Sequence, residues 1–566
     1  LSGTELAISE SQERMAVVVD EKDKDEFIRL AAQENLAATP VAVVTDDRRM
    51  KMLFKGRAIV DISRDFLDTN GVKQVISAKI EEGVTAYFRQ RAVKFAEGLL
   101  GALADLNVCS KKGLSEMFDS TIGARSVYMP FGGKRQLTPA IAMAAKICGG
   151  ETDVATVSAY GYSSALMSGA PFTGAIYSIV TSVAKLIAGG CDFDRIRLTF
   201  QEFFMRLGSD PKRWGVPLSA LLGALYAQIG LGLGAIGGKD SMSGTFEHID
   251  VPPTLISFAL APAKASELIT NVLEKKGTKL WLVPMPKDEN EIPDFKKLAD
   301  MYRVIHKNVQ SGNVRFATVV ENGGIAAAVA KSCLGNGLGF AFEGSAESLL
   351  SENYGQIVLS LEDPDALGLE KVYLGETTEK DFTLGAEKVT DGQAVAAFTG
   401  ALEGVFSNTA PAAGEAKDCD FDCNGKRYEN ISVKTAKPRV FIPVFPGTNC
   451  ELDTARKFNL AGAESEVIVL KNRSAADIEE SVRAFADAIS RANIVAFPGG
   501  FSGGDEPDGS GKFIATTFRN PYIAEQIQKL LAQRDGLILG ICNGFQALIK
   551  LGLVPYGEIR PLESGS

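Results

Sequence analysis

The residue with the clearest chemical potential is Cys542, which lies in the stretch DGLILGICNGFQALIKL. The pattern predicts a short strand over residues 537–541 and a helix from Gly544 onward, so Cys542 lies at a strand-to-helix corner. A thiol there projects from the carboxyl end of the strand. The amides that open the helix favour its thiolate form and offer hydrogen bonds to an oxyanion. Gly540 and Gly544 permit the tight backbone of such a corner. Cys542 is therefore a candidate nucleophile, although these residues alone also fit a buried, unreactive cysteine.

The residues before Cys542 predict the elements that position it. Thr448 and Glu451 predict a capping box for a helix that Gly462 ends, and Ser474 predicts the start of a second helix. Apolar runs predict strands over residues 439–445, 466–470 and 494–497. Strands that alternate with helices indicate a parallel, doubly wound sheet with its ligand site at the carboxyl ends of the strands. The loop PGGFS leaves one such end and Cys542 leaves another, so we expect them to form one site.

A second group of residues with chemical potential is the loop GGKDSMS, residues 237–243. Gly238 and its neighbour permit the backbone to approach a phosphate, Lys239 supplies a cation, Asp240 is a hard oxygen ligand for Mg²⁺ and Ser241 carries a hydroxyl. This set suits ATP and a phosphorylated substrate, but it lacks the Walker spacing. The residues alone also fit an ordinary glycine turn between strands.

Length and composition limit the classes of protein to which the chain can belong. A chain of 566 residues is too long for one hydrophobic core and indicates three or four domains. A net charge of −10 argues against binding to nucleic acid or to an anionic membrane surface. No uninterrupted apolar run reaches membrane length, and residues 1–10 do not have the pattern of a signal peptide. Eight widely spread cysteines fit a reducing compartment, so we expect a cytoplasmic protein.

The motifs FPGGFSGGD and LGICNGFQAL together resemble the class I (triad) glutamine amidotransferases, specifically the glutaminase domain of the phosphoribosylformylglycinamidine synthase family. PVFPGTNCELDTA is similar to the opening of that domain. The resemblance implies that Cys542 attacks the carboxamide of glutamine and that the amides of Gly500 and Asn543 receive the oxyanion.

The rest of the chain resembles the synthase part of the same family. FDSTIGARSVYMPFGGKRQLTPAIAMAAK and IGLGLGAIGGKDSMSGTF resemble the amino-terminal domain of the aminoimidazole ribonucleotide synthetase (PurM-like) fold. SESQERM resembles a segment near the end of the first synthase half, and the pattern around it predicts strands over residues 15–19 and 41–44 and a helix over residues 22–34. The expected fold class is α/β and α+β, with a PurM-like half followed by a truncated, doubly wound parallel-sheet glutaminase domain.

The resemblance implies five regions along the chain. They are the end of a first PurM-like carboxyl-terminal domain (residues 1–70), a connector (71–118), a second PurM-like amino-terminal domain (119–260), its carboxyl-terminal partner (261–434) and a partial amidotransferase domain (435–566).

The reaction implied by the resemblance is that of an ATP-dependent C–N ligase of purine biosynthesis. It converts formylglycinamide ribonucleotide to formylglycinamidine ribonucleotide, with glutamine as the nitrogen donor. Gly238, Lys239 and Ser241 would bind ATP or substrate, and Asp240 would bind Mg²⁺. The expected partners are the missing first synthase half and the remainder of the glutaminase domain. Two other classes stay open: a non-catalytic folded fragment, and a different cysteine hydrolase fused to a nucleotide-binding module.

Two departures from the family pattern qualify these expectations. The only histidines are His248 and His306, both far upstream of the cysteine, so we expect no efficient glutaminase in this chain. In relatives, carboxylates and an amide hold the magnesium of an auxiliary nucleotide. Two of the carboxylate positions fall here at Ile141 and Val319, and the helix around residues 182–190 offers no Glu or Asn. We predict no such Mg-ADP site, with Glu321 and Asn322 as the nearest polar groups.

Overall fold

The computed structural model describes residues 2–9, 14–68, 75–81, 94–118, 121, 125–147, 152–408, 414, 436–503 and 511–561. The chain forms two compact units. Unit 1 contains Leu1–Lys73 together with Asp418–Ser566, and unit 2 contains Gln74–Lys417.

The amino-terminal part of unit 1 contains three helices and one hairpin. They are α1 (Gly3–Ala7), α2 (Lys24–Gln33), β1 (Arg49–Phe54), β2 (Arg57–Ser63) and α3 (Arg64–Asp68). Lys55 and Gly56 connect the two strands with φ angles of 50° and 76°, as two-residue hairpin turns require.

The helix expected over residues 22–34 is present as α2, but the strands expected over residues 15–19 and 41–44 are wrong. Both stretches lie outside helices and strands. Val41, Val43 and Val44 are 89%, 86% and 80% exposed. A run of β-branched residues favours a strand only where a neighbouring strand completes the ladder, and no such pairing forms here among the described residues.

The two segments of unit 1 contact each other through polar groups near Asn35. The Asn35 side chain donates to Asn472 Oδ1 at 2.9 Å and accepts from the Asn472 backbone N–H at 3.2 Å. Arg473 donates to the Leu36 carbonyl at 3.0 Å. These bonds join the turn after α2 to the carboxyl-terminal segment.

The carboxyl-terminal segment of unit 1 alternates strands and helices. Its elements are β19 (Arg439–Val444), α13 (Glu451–Leu460), β20 (Glu464–Val469), α14 (Ala475–Arg491), β21 (Ile494–Phe497), α15 (Lys512–Phe518), α16 (Pro521–Gln533), β22 (Leu537–Gly540), α17 (Asn543–Leu551) and α18 (Leu553–Tyr556). The strands pair in parallel in the order β20-β19-β21-β22. The strand order reverses beside β19, and ligand sites of such sheets lie at that reversal.

Alternation along β19 places apolar residues on both faces of this sheet. Val440 and Ile442 pack with Phe458 of α13 on one face. Phe441 packs on the other face with Phe485 of α14 and with residues of α15, α16 and α17. Helices therefore cover both faces, which confirms the doubly wound parallel sheet predicted from the sequence.

The capping box predicted from Thr448 and Glu451 is wrong. The helix starts at Glu451 after Cys450, and no side chain caps it. Thr448 Oγ1 instead accepts the Phe445 N–H at 3.0 Å, which fixes the turn after β19. Ser474 caps α14 as predicted, because its side chain accepts the Asp477 N–H at 3.1 Å.

The first half of unit 2 is a five-stranded sheet covered by long helices. Its elements are α4 (Phe95–Ala104), α5 (Lys112–Ser115), β3 (Phe131–Gly132), β4 (Thr138–Pro139), β5 (Met143–Lys146), β6 (Val154–Gly161), α6 (Ser164–Gly169), α7 (Pro171–Ala188), β7 (Arg197–Phe203), α8 (Pro211–Leu231), β8 (Ala235–Lys239), β9 (Thr245–Phe246), β10 (Ile249–Asp250) and β11 (Thr254–Lys264). The order is β5-β6-β11-β7-β8, antiparallel except for the parallel pair β7–β8.

Helix α7 is the centre of unit 2, and nearly all of its residues are buried against β6 and β11. Within the described residues, α7 and α8 have the length and apolar composition of a membrane-crossing helix, with 83% and 44% of their apolar windows buried. The burial of α7 is typical of the core helix of a globular protein.

The second half of unit 2 is a seven-stranded mixed sheet. Its elements are β12 (Lys279–Val283), α9 (Phe295–Gln310), β13 (Ala317–Val319), α10 (Gly324–Leu334), β14 (Gly339–Phe342), α11 (Ala346–Leu350), β15 (Ile357–Ser360), β16 (Val372–Thr378), β17 (Phe382–Leu384), β18 (Glu387–Val389) and α12 (Asp391–Gly400). The order is β13-β15-β12-β16-β14-β17-β18. Mixed sheets in unit 2 and a parallel sheet in unit 1 agree with the expected α/β and α+β class.

Candidate functional site

Cys542 lies at the predicted corner, between the end of β22 and the start of α17. It is exposed, which excludes the alternative of a buried cysteine. Its backbone has φ 49° and ψ −107°, a combination that non-glycine residues rarely adopt. Such a backbone is typical of nucleophile elbows, where strain holds the reactive side chain outward.

Two glycines make the corner sterically possible. A Cβ atom on Gly544 would overlap the carbonyl oxygen of Phe497 in β21. A Cβ atom on Gly540 would lie 2.6 Å from Leu548 Cδ1 and 2.9 Å from the carbonyl carbon of Gly544. Strand β22 and helix α17 therefore pack closely because both positions lack side chains.

The loops that follow β19 and β21 are joined by backbone hydrogen bonds. Phe501 donates to the Gly447 carbonyl at 2.7 Å, and Asn449 donates to the Gly499 carbonyl at 3.2 Å. Gly500 has φ 146°, and a Cβ atom there would lie 2.5 Å from the Gly447 oxygen. The pairing holds the PGGF turn in a fixed position at the carboxyl edge of the sheet.

Gly499 lies between two thiol-bearing residues, Cys450 and Cys542. A Cβ atom at position 499 would be 3.6 Å from Cys450 Sγ and 3.6 Å from Cys542 Cβ. The structure thus brings the PGGF turn against Cys542. Cys450 is also exposed, and sequence reasoning missed it. Its place in the loop after the first strand of the sheet was the signal that could have found it.

The backbone N–H groups of Gly500 and Asn543 donate no hydrogen bond within the part of the chain that the structure describes. The ladder between the two loops uses the N–H groups of Asn449 and Phe501 on either side of Gly500. Asn543 is the first residue of α17, and helices leave their first four N–H groups without partners in the helix. Neither N–H group is therefore used by a described acceptor of the protein.

The side chain of Asn543 has a second role that the sequence did not indicate. It is 2% exposed, and its Oδ1 accepts the Ser502 N–H at 3.2 Å. Its amide nitrogen faces Gln546 Oε1 at 3.4 Å. Asn543 therefore ties the loop after β21 to the start of α17.

Neither histidine belongs to unit 1. His248 and His306 are both residues of unit 2, and His306 Nδ1 lies 3.0 Å from the Gly190 carbonyl oxygen. The sheet of unit 1 therefore has no histidine of its own to act as the base of a triad.

The GGKDSMS segment begins inside β8, which contains Gly237, Gly238 and Lys239, and continues beyond the end of this edge strand of the first sheet of unit 2. A Cβ atom on Gly238 would lie 2.7 Å from the Phe200 carbonyl, whereas Gly237 has open space. A glycine at position 238 is thus required for the close pairing of β8 with β7, so Gly238 has a structural role. Lys239 and Asp240 are exposed, and Ser241 Oγ lies 3.2 Å from Ser243 Oγ.

Glu202, at the end of β7, is a residue of this site that sequence reasoning missed. It is 6% exposed, and burial together with the nearby Asp240 carboxylate raises its pKa to about 7. A single carboxylate in phase with the apolar residues Leu198 and Phe200 of the strand is the signal that could have identified it.

Ile141 and Val319, the positions expected to correspond to the auxiliary magnesium site of relatives, also belong to unit 2. Val319 is 3% exposed, and Ile141 packs against the same apolar core. Lys185 of α7 forms an ion pair with Glu321 at 2.7 Å, and Tyr354 donates to Asn322 Oδ1 at 2.7 Å. Glu321 and Asn322 are therefore already engaged with protein groups, so these residues do not fit a divalent metal.

Two family models match parts of the chain. Residues 437–565 match the CobB/CobQ-like glutamine amidotransferase domain. Residues 1–55 match the AIR synthase related protein, C-terminal domain.

Two curated relatives carry the name of the same enzyme. Subunit PurQ of phosphoribosylformylglycinamidine synthase from Dehalococcoides mccartyi is 38% identical over 120 residues, which is 21% of this chain and 42% of the relative. Subunit PurL from Methanocaldococcus jannaschii is 23% identical over 420 residues, which is 64% of this chain and 53% of the relative. The chain spans about half the length of the curated relatives it matches.

Among solved structures, Thermotoga maritima PurL complexed with ATP has 17% sequence identity and a TM-score of 0.49, covering 67% of this chain and 57% of that one. The chain is thus similar to the PurQ and PurL subunits of phosphoribosylformylglycinamidine synthase, and its residues 437–565 match a glutamine amidotransferase domain.

Proposed function

We propose that the chain takes part in the ATP- and glutamine-dependent conversion of formylglycinamide ribonucleotide to formylglycinamidine ribonucleotide, as a C–N ligase of purine biosynthesis. The observation that carries the proposal is the strained, exposed Cys542 beside the PGGF turn. The names of the PurQ and PurL relatives support the same reaction. We also propose the five regions expected from the sequence. The proposed partners are a first synthase half and the rest of a glutaminase domain.

In unit 1, Cys542 would attack the carboxamide carbon of glutamine. The N–H groups of Gly500 and Asn543 would receive the negative charge that develops on the carboxamide oxygen. Loss of ammonia leaves a thioester, which water hydrolyses to glutamate. The pairing of the two loops and the Asn543 side chain would keep both donors in place while charge develops.

In unit 2, the residues at the carboxyl end of β8 and directly after it would hold ATP and the phosphorylated substrate. Lys239 offers a cation, Ser241 a hydroxyl and Asp240 a carboxylate for Mg²⁺, and Gly238 lets β8 approach β7 closely. Magnesium, when bound, would neutralise phosphate charge. ATP would phosphorylate the amide oxygen of the substrate, and ammonia would then displace phosphate to give the amidine. Water must be excluded there, because the phosphorylated intermediate would otherwise hydrolyse.

The proposal is tested with a chloroketone analogue of glutamine, which alkylates a thiol only after binding as glutamine does. We expect stoichiometric labelling of Cys542, located by peptide mass spectrometry, and slower labelling when glutamine is present. The matched control is C450S, because Cys450 is an exposed thiol beside the same glycine. It should leave labelling unchanged, whereas C542S should abolish it.

Other outcomes identify the alternatives. Alkylation of Cys542 by iodoacetamide but not by the glutamine analogue indicates a cysteine hydrolase with another substrate. Equal labelling of Cys450 and Cys542 by both reagents, without protection by glutamine, indicates a folded chain without a glutamine site.

A further inference from the structure

Glu202 and Asp240 are neighbours across two parallel strands. Gln201 of β7 pairs with Lys239 of β8, so the next residue of each strand is Glu202 and Asp240. The ladder continues beyond them, because Ser241 donates to the Glu202 carbonyl at 3.1 Å and Phe204 donates to the Ser241 carbonyl at 2.8 Å. Paired residues of neighbouring strands leave the same face of the sheet, about 5 Å apart. The two carboxylates therefore lie side by side.

Glu202 lies on the apolar face of β7, whereas Asp240, which follows the edge strand β8, is exposed. Leu198 and Phe204 lie an even number of positions from Glu202, so they share its face, and both are fully buried. Leu255, which pairs with Glu202 from β11, is fully buried too. Glu202 itself is 6% exposed. An ionised carboxylate in such surroundings is costly unless it is protonated or another group compensates its charge.

No compensating group comes from the part of the chain that the structure describes. The carboxylates of Glu202 and Asp240 take part in none of the side-chain hydrogen bonds or ion pairs there. Lys239 is the nearest cation in sequence, but it leaves the opposite face of β8. A largely buried carboxyl group without a protein partner points to a bound water or ion that completes the site.

The chemistry of the donors indicates which ligand this is. Carboxylate oxygens and the hydroxyls of Ser241 and Ser243 are hard donors. Magnesium commonly binds through one or two carboxylates and completes its shell with water and phosphate oxygens. The described residues contain no group of three or more metal-binding side chains, so an enclosed protein cage is not the arrangement here.

We propose that Glu202 and Asp240 together bind one hard divalent cation at the carboxyl ends of β7 and β8. That a bound phosphate is a further ligand of this cation rests on the proposed function. That the two carboxylates bind the cation does not rest on it. Glu202 is thereby a metal-binding residue in addition to the Asp240 expected from the sequence.

The test is a titration of the full chain with Mn²⁺, followed by the electron paramagnetic resonance signal of the free ion. We expect one ion per chain, and a loss of affinity of about tenfold or more in E202Q and in D240N. The matched control is E247Q, because Glu247 is an exposed carboxylate in the turn between β9 and β10. It should bind Mn²⁺ as the unsubstituted chain does.

Two results would overturn the inference: no Mn²⁺ binding by the unsubstituted chain, or equal affinity in E202Q. Asp240 is exposed, so D240N tests the site even if the buried substitution disturbs folding. Mn²⁺ binding that depends on Glu202 in a chain whose Cys542 ignores the glutamine analogue would support the cation site and refute the proposed function.

Discussion

The backbone of Cys542 allows a direct test of strain at one residue. A non-glycine residue at φ 49° and ψ −107° costs on the order of 1–3 kcal/mol, which glycine avoids. We therefore expect C542G to be more stable than C542A by about 1 kcal/mol or more. The free energy of unfolding in urea measures the difference.

Cys450 supplies the control, because it precedes α13 as Cys542 precedes α17 but has φ −113°. Both are N-cap positions, so the preference of N-caps for glycine over alanine contributes equally at each. The gain from glycine should be larger at position 542. Equal gains at the two positions would show that the Cys542 backbone is not strained.

At the scale of single residues, the sequence predicted where the candidate residues lie in the sheet better than it predicted which groups their side chains contact. Cys542, Gly500 and Asn543 follow ends of parallel strands, so their convergence follows from the strand pattern. The bond from Ser502 to the Asn543 side chain did not follow, because it depends on how two loops meet. Glu202 was missed for a related reason: its importance lies in burial beside Asp240, which only strand register reveals.

The pairing of β7 and β8 should make stability depend on pH. The pKa of Glu202 is raised from 4.5 to about 7, so the folded chain holds that proton more tightly than the unfolded chain. The resulting stabilisation is fully present below about pH 4.5 and is lost as pH rises through about 7.

The matched variant is E202Q, which cannot ionise. Measured in a chelator, the stability of the unsubstituted chain relative to E202Q should fall by about 3 kcal/mol between these two pH values. Urea unfolding at several pH values provides the measurement. A difference that stays constant with pH would show that Glu202 is not perturbed in the folded state.

At the scale of elements, regular alternation was predictable and local turn chemistry was not. The strands in the carboxyl-terminal segment of unit 1 were found from apolar runs, and α14 from its Ser474 cap. Thr448 was misassigned because its hydroxyl serves the turn after β19. The hairpin β1–β2 was missed, although the Lys55-Gly56 pair marks its turn. The strands expected near residues 15 and 41 failed because strand propensity needs a partner strand.

At the scale of the whole molecule, the chain carries two sets of chemical groups in separate units. Cys542 and the proposed oxyanion donors belong to unit 1, whereas Lys239, Ser241 and the carboxylates of Glu202 and Asp240 belong to unit 2. The two proposed activities, thiol chemistry on glutamine and binding of a metal with phosphates, can therefore be assayed separately. The sequence indicated both sets through separate motifs.

The distribution of histidine across the whole chain predicts how the first of these activities behaves. The two histidines belong to unit 2, so the amidotransferase sheet has no imidazole of its own to take the Cys542 proton. We expect ammonia release from glutamine to be about 10⁴-fold or more slower than with a complete triad. Added imidazole should restore part of the rate, because it can act as a soluble base at the elbow.

The measurement is ammonia release with increasing imidazole, and C542S should show no response. N-methylpyrrole, which has a similar shape but no basic nitrogen, is the control for a solvent effect. Rapid, Cys542-dependent ammonia release without imidazole would contradict the expectation. The variant H248Q/H306Q would then decide whether a histidine is the base: loss of activity would assign one, and unchanged activity would assign another residue. If imidazole accelerates the unsubstituted chain alone, the elbow and oxyanion donors are competent and the missing function is proton transfer.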